Sequence, residues 1–298
     1  VQEVAEPLQG TAPRLCIDGT SSTLLLIDSR GQAITPGLMY DDLRAVAAAA
    51  RVAGRAPIDS PARGVGSALS KLLHLIDAID PPQDTLALHQ ADWLTGKLTG
   101  SFGISDENNA LKLGYDPVTR AWPDWLAEWS PACRHLPRVT AVGTPIGRIN
   151  PAVAAELHLP QETTVVAGST DSNAATLAAS GCQLDDVGSF GVTSLGSTLV
   201  IKLWSDRPIF SARYGVYSHR IGKRWLVGGA SNTGGQVLRQ FFSDEQLETL
   251  SCQIDPARAS GLDYYPLPAS GERFPVSDPD CSRVSRASRP RAIDDSRR

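Results

Sequence analysis

Short apolar runs alternate with helix-like segments through the first half of the chain. Residues 15–17 and 23–28 are apolar runs flanked by loop residues, and a turn at 29–32 precedes a third short run, which together predict strand, loop, strand, turn, strand. Alanines over 44–55 and leucines at helical spacing over 66–78 predict two helices, and residues 88–98 predict a third. The alternation predicts an α/β fold.

The second half of the chain is richer in strand-forming residues. Residues 185–188 form a candidate hinge, and residues 214–221 and 224–227 then flank the two-residue hairpin turn Gly222-Lys223. A glycine-rich loop over 228–235 leads into a helix predicted from Gln236. The pattern predicts a first domain at 1–186, a second at 187–280, and an arginine- and serine-rich tail at 281–298 that is expected to be disordered.

Composition limits the classes of function. The chain has 298 residues, of which 42% are apolar and 20% charged, as in soluble globular proteins, and its net charge of −4 argues against nucleic acid or an anionic membrane as the main partner. No apolar run is long enough to span a membrane and the acidic start differs from a secretion signal, so a cytoplasmic protein is expected. Five scattered cysteines predict reduced thiols and no structural metal site. The sequence does not decide whether the protein forms a homo-oligomer.

Asp171 is the first candidate for chemistry. It follows the apolar run 165–167 and the triplet Gly168-Ser169-Thr170, and it precedes a string of small residues that predicts a helix. One interpretation is that Asp171 only caps this helix, since aspartate is a common N-cap residue. The other interpretation is that its carboxylate takes part in catalysis.

A turn rich in hydroxyl groups follows Asp171 in the chain. Hydroxyl side chains cluster over residues 193–198, around Gly196 and between two strand-like strings. Such a turn can point backbone N–H groups at phosphate oxygens, and glycine allows the backbone to approach a ligand closely. Together, this turn and Asp171 indicate phosphoryl transfer.

Neither standard nucleotide-binding motif is present in the sequence. The glycine loop at 228–235 before a helix is a general anion-binding arrangement, but Gly235 stands where a Walker A loop requires lysine. Residues 64–66 begin like a dinucleotide fingerprint, but Leu69 stands where the third glycine is needed. Any nucleotide site must therefore use another geometry.

A series of short motifs, taken in order, resembles the FGGY family of carbohydrate kinases. The motifs are Asp18-Gly19-Thr20-Ser21, Tyr40-Asp41-Asp42-Leu43-Arg44, Asp92-Trp93-Leu94 with Leu98-Thr99-Gly100, Ser105-Asp106 with Asn109-Ala110, Gly114-Tyr115-Asp116, Gly168-Ser169-Thr170-Asp171, Ser194-Leu195-Gly196-Ser197-Thr198 and Gly228-Gly229-Ala230-Ser231-Asn232. The resemblance covers residues 14–279 and is most specific over 165–235. Within the family, the chain looks most like the D-ribulose and xylulose kinase-like group.

The resemblance implies a fold, an activity and a set of site residues. The fold is actin-like (ribonuclease-H-like), with two α/β domains around a cleft, sugar mainly on the first and ATP, with Mg²⁺, mainly on the second. Asp171 would be the general base that takes the proton of a ketopentose or polyol hydroxyl. The implied sugar-binding residues are Thr20, Ser21, Ser22, Glu107 and Ser172. The implied nucleotide-phosphate-binding residues are Thr193, Gly196, Ser197, Thr198, Gly234 and Gly235.

The sequence departs from the family at both ends. The opening phosphate hairpin, G-x-D-x-G-T, and the C-terminal adenosine-binding region have no counterpart, so both domains are expected to be incomplete and the chain to have little or no kinase activity by itself. A second hypothesis is a non-catalytic sugar-binding remnant of such a kinase. A third, an aspartic hydrolase, is weak because the order at 18–20 is D-G-T and not D-T-G.

Overall fold

The computed structural model describes residues 10–181, 190–282 and 284–287. The expected hinge at 185–188, the domain boundary at 186/187 and most of the expected disordered tail lie outside these residues. The α-helices are α1 (Val46–Ala53), α2 (Ala68–Ile79), α3 (Gln90–Thr99), α4 (Asp124–Ala127), α5 (Ser130–Cys133), α6 (Pro151–Glu156), α7 (Asp171–Ala179) and α8 (Asp244–Ser251), and 3-10 turns lie at Ala110–Leu113, Ala212–Tyr214 and Gly235–Gln240.

The strands are short in the first half and longer in the second. They are β1 (Arg14–Leu15), β2 (Asp18–Gly19), β3 (Leu24–Ile27), β4 (Leu86–His89), β5 (Ile104–Asp106), β6 (Arg138–Thr140), β7 (Pro145–Arg148), β8 (Thr164–Val166), β9 (Ser169–Thr170), β10 (Gly191–Leu195), β11 (Leu199–Ser205), β12 (Tyr217–Ile221), β13 (Arg224–Ala230), β14 (Leu262–Tyr265) and β15 (Val284–Ala287). The α/β alternation predicted from the sequence is therefore confirmed.

The first half places parallel strand pairs beside helices. Strands β1 and β8, β2 and β9, and β5 and β6 pair in parallel, while β3 and β4 are antiparallel. Strand β3 is buried on both faces: Leu24 and Leu26 join the core under α1 and α2, and Leu25 and Ile27 join a second core with Leu88. A strand whose two faces both pack into hydrophobic cores needs a continuous apolar run, which residues 24–27 provide.

One predicted helix begins later than expected. Residues 86–89 form strand β4, which pairs with β3, and only from Gln90 does the chain become helical. The Asp92 carboxylate accepts the backbone N–H of His89 at 3.1 Å, which caps the first turn of α3. The predicted helix start at Leu88 is therefore wrong, because Leu88 and His89 pair with β3 and His89 is the N-cap of the helix.

The second half is a four-stranded antiparallel sheet in the order β10-β11-β13-β12. The predicted turn between β12 and β13 is present, with Gly222 at φ +61°. Trp204, Ile221 and Leu226 form a buried cluster, and Val142 and Leu177 of the first half pack against it. One face of the sheet thus rests on the first half of the chain. We call this the inner face.

Two further predictions concern helices. The segment predicted as a helix from Gln236 is the 3-10 turn Gly235–Gln240. Within the residues that the structure describes, none of the helices has the length and apolar character needed to cross a membrane.

Candidate active site

Two neighbouring parallel strands bring Asp171, the candidate base, close to the turn Thr20–Ser22, which we call the sugar turn. In the β2–β9 pair, Asp18 lies opposite Ser169 and Gly19 opposite Thr170, so Thr20 and Asp171 follow the ends of adjacent strands. Gly168 permits this approach, since a Cβ atom there would lie 1.9 Å from the carbonyl oxygen of Ile17. The local sequence therefore places a hydroxyl-rich turn and a carboxylate side by side at one edge.

Asp171 is the first residue of α7 and not its cap. The N-cap position is Thr170, whose side chain makes no capping hydrogen bond, so the interpretation of Asp171 as the helix cap is wrong. Asp171 is exposed, and its Oδ1 accepts the backbone N–H of Ser172 at 2.6 Å. The Asp171 carboxylate therefore lies at the positive end of the helix dipole and is open to a ligand. Ser172, which is also exposed, lies directly beside it.

The turn after β2 carries hydroxyl groups with unused hydrogen-bonding capacity. Ser22 is 1% exposed and adopts φ +69°. The hydroxyl oxygens of Ser21 and Ser22 are buried and have no hydrogen-bond partner among the residues that the structure describes, whereas Thr20 Oγ1 lies 2.5 Å from Thr23 Oγ1. Unpaired buried hydroxyls are costly unless a ligand or water completes them. The turn is thus suited to a polyol.

Lys71 holds this turn from below. Its ammonium donates to the backbone carbonyl of Ser22 at 2.9 Å and to that of Met39 at 2.6 Å. The side chain is fully buried, and burial lowers its pKa to about 8, although Asp42 partly opposes this effect. Lys71 therefore fixes the carbonyl of a residue in the left-handed conformation.

Glu107 lies in a more enclosed position than the turn. It is 2% exposed, and its Oε2 is 3.4 Å from Arg120 Nε, while Oε1 is buried and has no hydrogen-bond partner within the described part of the chain. Burial raises its pKa, and the charges of Arg120 and Arg220 offset part of that rise. One oxygen remains to accept a hydrogen bond, so the sugar-binding role of Glu107 stays a prediction.

The candidate phosphate residues form a compact unit at the turn between β10 and β11. Gly235 N–H donates to the Gly196 carbonyl at 2.8 Å, and the N–H of Gln236 donates to the Ser197 carbonyl at 3.3 Å. A Cβ atom on Gly234 would lie 2.4 Å from the Ser197 carbonyl oxygen, so only glycine fits. The glycine-rich loop and the hydroxyl-rich turn, predicted separately from the sequence, are therefore in direct contact.

Thr193 lies apart from this turn within the same hairpin. It pairs with Ile201, whereas the preceding residue Val192 pairs with Lys202. Because successive side chains alternate between faces of a sheet, Thr193 lies on the face opposite to Lys202. Its phosphate-binding role stays a prediction.

Lys202 is the most informative residue that the sequence analysis missed. It is 5% exposed on β11, and its Nζ donates to Asn173 Oδ1 on α7, two residues after Asp171. Burial lowers its pKa to about 7, the charge of Asp171 acts to raise it, and Lys112 lowers it further. A signal was present, because Lys202 interrupts the apolar run Leu199–Trp204 on the same face as the buried Trp204.

A hydrogen-bonded chain continues from Lys202 through the first half. Asn173 Nδ2 donates to Ser169 Oγ at 3.1 Å, and Asn108 Nδ2 donates to the same oxygen at 3.0 Å. Asn108 Oδ1 in turn accepts the backbone N–H of Arg220 on β12 at 3.1 Å. The sheet of the second half is thus joined at two strands to the residues that surround Asp171.

Metal binding by side chains alone is not supported where the structure can be described. Over residues 10–181, 190–282 and 284–287, no group of three or more His, Cys, Asp or Glu side chains could hold a metal ion. Mg²⁺ in proteins is commonly held by one or two carboxylates together with substrate phosphates. The exposed carboxylate of Asp18, on β2, fits that lesser role.

Sequence comparison finds sugar kinases among curated proteins. The chain is 24% identical to gluconokinase of Bacillus subtilis (strain 168) over 163 residues, covering 49% of this chain and 31% of that protein. It is 26% identical to the putative sugar kinase YoaC of the same organism over 171 residues, covering 55% and 34% respectively. The chain thus matches about a third of the length of these relatives. No protein-family model matches it.

Solved structures of sugar kinases share the fold. Xylulose kinase from Rhodospirillum rubrum superimposes with a TM-score of 0.74 at 20% identity, covering 98% of this chain and 61% of that one. Gluconate kinase from Lactobacillus acidophilus gives 0.74 at 19% identity, covering 95% and 60%. The chain therefore has the actin-like ATPase fold of FGGY carbohydrate kinases. Both xylulose and gluconate kinases are among the neighbours, so the comparisons do not single out the ribulose and xylulose group.

Proposed function

We propose that this chain belongs to an ATP-dependent sugar kinase in which Asp171 is the general base. The observation that carries the proposal is the β2–β9 register, which puts the Thr20–Ser22 turn beside an exposed carboxylate at the start of α7. The sugar-kinase relatives and the shared actin-like fold support the same reaction class.

The proposed reaction transfers one phosphoryl group to a sugar hydroxyl. Asp171 accepts the hydroxyl proton while the sugar oxygen bonds to the γ-phosphorus and the bond from that phosphorus to the bridging oxygen of ADP breaks. Ser21 and Ser22 supply hydroxyls that hydrogen-bond the sugar, with Thr20 and Ser172 beside them. Glu107 would use its free Oε1 in the same way.

The turn at Gly196, Ser197 and Thr198 is proposed to receive the nucleotide phosphates. The turn contacts Gly234 and Gly235, which have no side chains, so backbone lies where the phosphates are proposed to bind. This arrangement suits an anion that must come close to N–H groups. Thr193 is proposed to contribute from the neighbouring strand. Bound Mg²⁺ would neutralise the charge on the phosphates, held through them and through a carboxylate such as Asp18.

A ketopentose such as ribulose or xylulose is the proposed substrate. The support is the resemblance of the sequence, within the FGGY family, to the D-ribulose and xylulose kinase-like group. Gluconate is the competing substrate, because gluconokinase is among the curated relatives. The proposed setting is a soluble cytoplasmic enzyme.

A second candidate is a sugar-binding remnant that transfers nothing. It is favoured by the turn after β2, where the buried hydroxyls of Ser21 and Ser22 can bind a polyol whether or not a nucleotide is bound. Such a protein would use the turn at Thr20–Ser22 and the Asp171 carboxylate to bind sugar without phosphoryl transfer.

Calorimetry and a coupled ADP-release assay separate the two candidates. The purified 298-residue chain is titrated with ribulose, xylulose and gluconate, with and without Mg-ATP, alongside Asp171→Asn. Turnover that Asp171→Asn abolishes supports the kinase, and sugar binding without nucleotide binding supports the remnant. Turnover that survives in Asp171→Asn removes Asp171 from the role of base, and a chain that binds none of the three sugars overturns both candidates.

A further inference from the structure

The packing of α7 on the inner face of the sheet is mixed in character. Leu177 packs against the apolar cluster of Trp204, Ile221 and Leu226, as expected for a helix that covers a sheet. One turn earlier, Asn173 occupies the equivalent position on the same helical face, and it meets the ammonium of Lys202. An apolar contact therefore changes to a charged one as the helix approaches Asp171.

The sheet makes room for this lysine. Gly228 lies opposite Lys202 in the β11–β13 pair, and a Cβ atom on Gly228 would lie 3.2 Å from Lys202 Cγ and 3.6 Å from Cε. Larger side chains at this position would press on the aliphatic stem of the lysine. The side chain is thus guided across the inner face toward α7.

The charged groups around Lys202 come from three elements. Asp171 on α7 favours the charged ammonium, while Lys112, in the 3-10 turn of the first half, opposes it. His219 on β12 is fully desolvated, and its pKa lies well below the usual range because of burial and because of Lys202 and Lys112. Asp171 is therefore the anion among the groups that act on Lys202.

A neutral donor would suffice if only the hydrogen bond to Asn173 were needed. Burying an ammonium carries a desolvation penalty that one amide oxygen does not fully offset. The penalty is understandable if the charge itself acts on Asp171. Lys202 also lies four residues after Thr198, on strand β11, which follows the turn Gly196–Thr198. We call this turn the phosphate turn.

We propose that Lys202 is a positioning residue for the Asp171 base: through Asn173 it ties the first turn of α7 to the strand that carries the phosphate turn. This inference rests on the proposed function of Asp171 as the base. Lys202 itself touches no substrate in this account. It fixes the base relative to the turn Gly196–Thr198, so that the sugar oxygen and the γ-phosphate meet in one geometry.

The first test measures the coupling between the two charges. The pKa of the Lys202 ammonium is followed by NMR of its ¹⁵Nζ in the wild-type chain and in Asp171→Asn. Because Asp171 stabilises the charged amine, we expect the variant to lower the pKa of Lys202 by about one pH unit. An unchanged pKa overturns the proposal, and this arm needs no change at Lys202 and no catalytic activity.

The second test measures the tie to the helix. In Lys202→Met, backbone amides of residues 174–177, the first in α7 with helical acceptors, should exchange with deuterium about tenfold faster than in wild type, and Lys202→Arg should restore part of the protection. Lys223→Met, at an exposed turn, is the control that should leave these amides unchanged. Equal exchange in wild type and Lys202→Met also overturns the proposal.

The third test uses turnover, measured in the same ADP-release assay. Lys202→Met should lower kcat about 100-fold while KM for the sugar stays within about threefold, because the sugar turn is untouched. If Asp171→Asn abolishes turnover but both Lys202 measurements above are unmoved, the proposed function stands and this inference fails. If the wild-type chain has no turnover, the titration and exchange measurements decide the inference by themselves.

Discussion

Lys71 Nζ lies 2.9 Å from the carbonyl oxygen of Ser22, the residue that carries one of the unpaired hydroxyls of the sugar turn. Ser22 has φ +69°, a conformation that non-glycine residues adopt only when the surroundings enforce it. The lysine comes from the first turn of α2, so a helix of the first core determines the shape of the turn. Three consequences for stability and binding can be measured.

Lys71→Met should destabilise the chain and weaken sugar binding together. Methionine has a similar length but leaves the carbonyls of Ser22 and Met39 without their charged donor, which costs about 3 kcal/mol in the free energy of unfolding. Relaxation of the turn should lower sugar affinity about tenfold. Urea unfolding and calorimetry measure the two effects. Lys223→Met serves as the exposed control, and equal values for Lys71→Met and this control would contradict the assigned role.

The stability difference between wild type and Lys71→Met should depend on pH. The pKa of Lys71 is lowered to about 8 in the folded chain, from an ordinary value of 10.5, mainly by burial. Between these values the unfolded chain binds the proton more tightly, so the folding free energy becomes more favourable as pH rises. Wild type should therefore gain stability relative to Lys71→Met between pH 8 and pH 10.5, as measured by urea unfolding at each pH. A constant difference across this window argues against the lowered pKa.

The spacing of apolar residues and the positions of turn residues predict most of the order of helices and strands. The other elements are determined by pairing with strands that are distant in the sequence. Residues 24–27 are recognisable as a strand because the run is short and bounded by turn residues. Residues 86–89 are not, since Leu86 and Leu88 also fit the start of a helix, and only the pairing with Leu24–Ile27 makes them a strand. Local sequence does not contain that partner, which lies far away in the chain.

The candidate site divides in the same way. The residues themselves predict Asp171 and the turn at Gly196 as candidates, because hydroxyls and glycine concentrate there, and the resemblance to the FGGY family adds the Thr20–Ser22 turn. The sequence analysis did not predict Lys71 and Lys202 as site residues. Each is a single charged residue in an apolar segment, and the atoms that accept its hydrogen bonds lie on other elements. The useful signal is a lone lysine on an otherwise buried face, which requires a partner.

Gly234→Ala should damage the nucleotide side and leave the sugar side intact. The new methyl group would lie 2.4 Å from the Ser197 carbonyl oxygen and 2.6 Å from Thr198 Cα, so the phosphate turn must move. Nucleotide affinity should fall about tenfold while sugar affinity is unchanged. Gly37→Ala is the matched control, because nothing lies within 4 Å of its added Cβ. Unchanged nucleotide binding in Gly234→Ala, measured by calorimetry, would count against this turn as the phosphate site.

Glu107→Gln should show how burial of the Glu107 carboxylate affects the free energy of unfolding as pH changes. Burial raises the pKa of Glu107 above its ordinary value of 4.5. The folded chain then holds the proton more tightly than the unfolded chain, so wild type loses stability relative to the variant as pH rises above about 4.5. Urea unfolding at pH 4 and pH 7 checks the sign. If Oε1 also accepts a sugar hydroxyl, the variant binds sugar more weakly despite its greater relative stability, and unchanged affinity would remove Glu107 from the sugar site.

Glu272 links the glycine-rich loop to the chain that follows it. Its carboxylate accepts Ser231 Oγ at 2.6 Å, the N–H of Asn232 at 2.8 Å and the hydroxyl of Tyr265 at 2.8 Å. Burial pushes the pKa of Glu272 upward, but these hydrogen bonds outweigh it and hold the pKa below its ordinary value. The loop that contacts the phosphate turn is therefore anchored by one ionised group.

Glu272→Gln should destabilise the chain by about 2 kcal/mol at pH 7, because one acceptor oxygen becomes a donor that faces other donors. The pKa of Glu272 is lower in the folded than in the unfolded chain, so its stabilisation is present above pH 4.5 and is lost as pH falls below that value. The difference from wild type should thus shrink in acid, and urea unfolding between pH 7 and pH 3.5 measures it. Asp244→Asn, at the exposed start of α8, is the control for loss of a surface carboxylate. If Glu272→Gln and this control have equal stabilities at pH 7, the loop does not depend on the anchor.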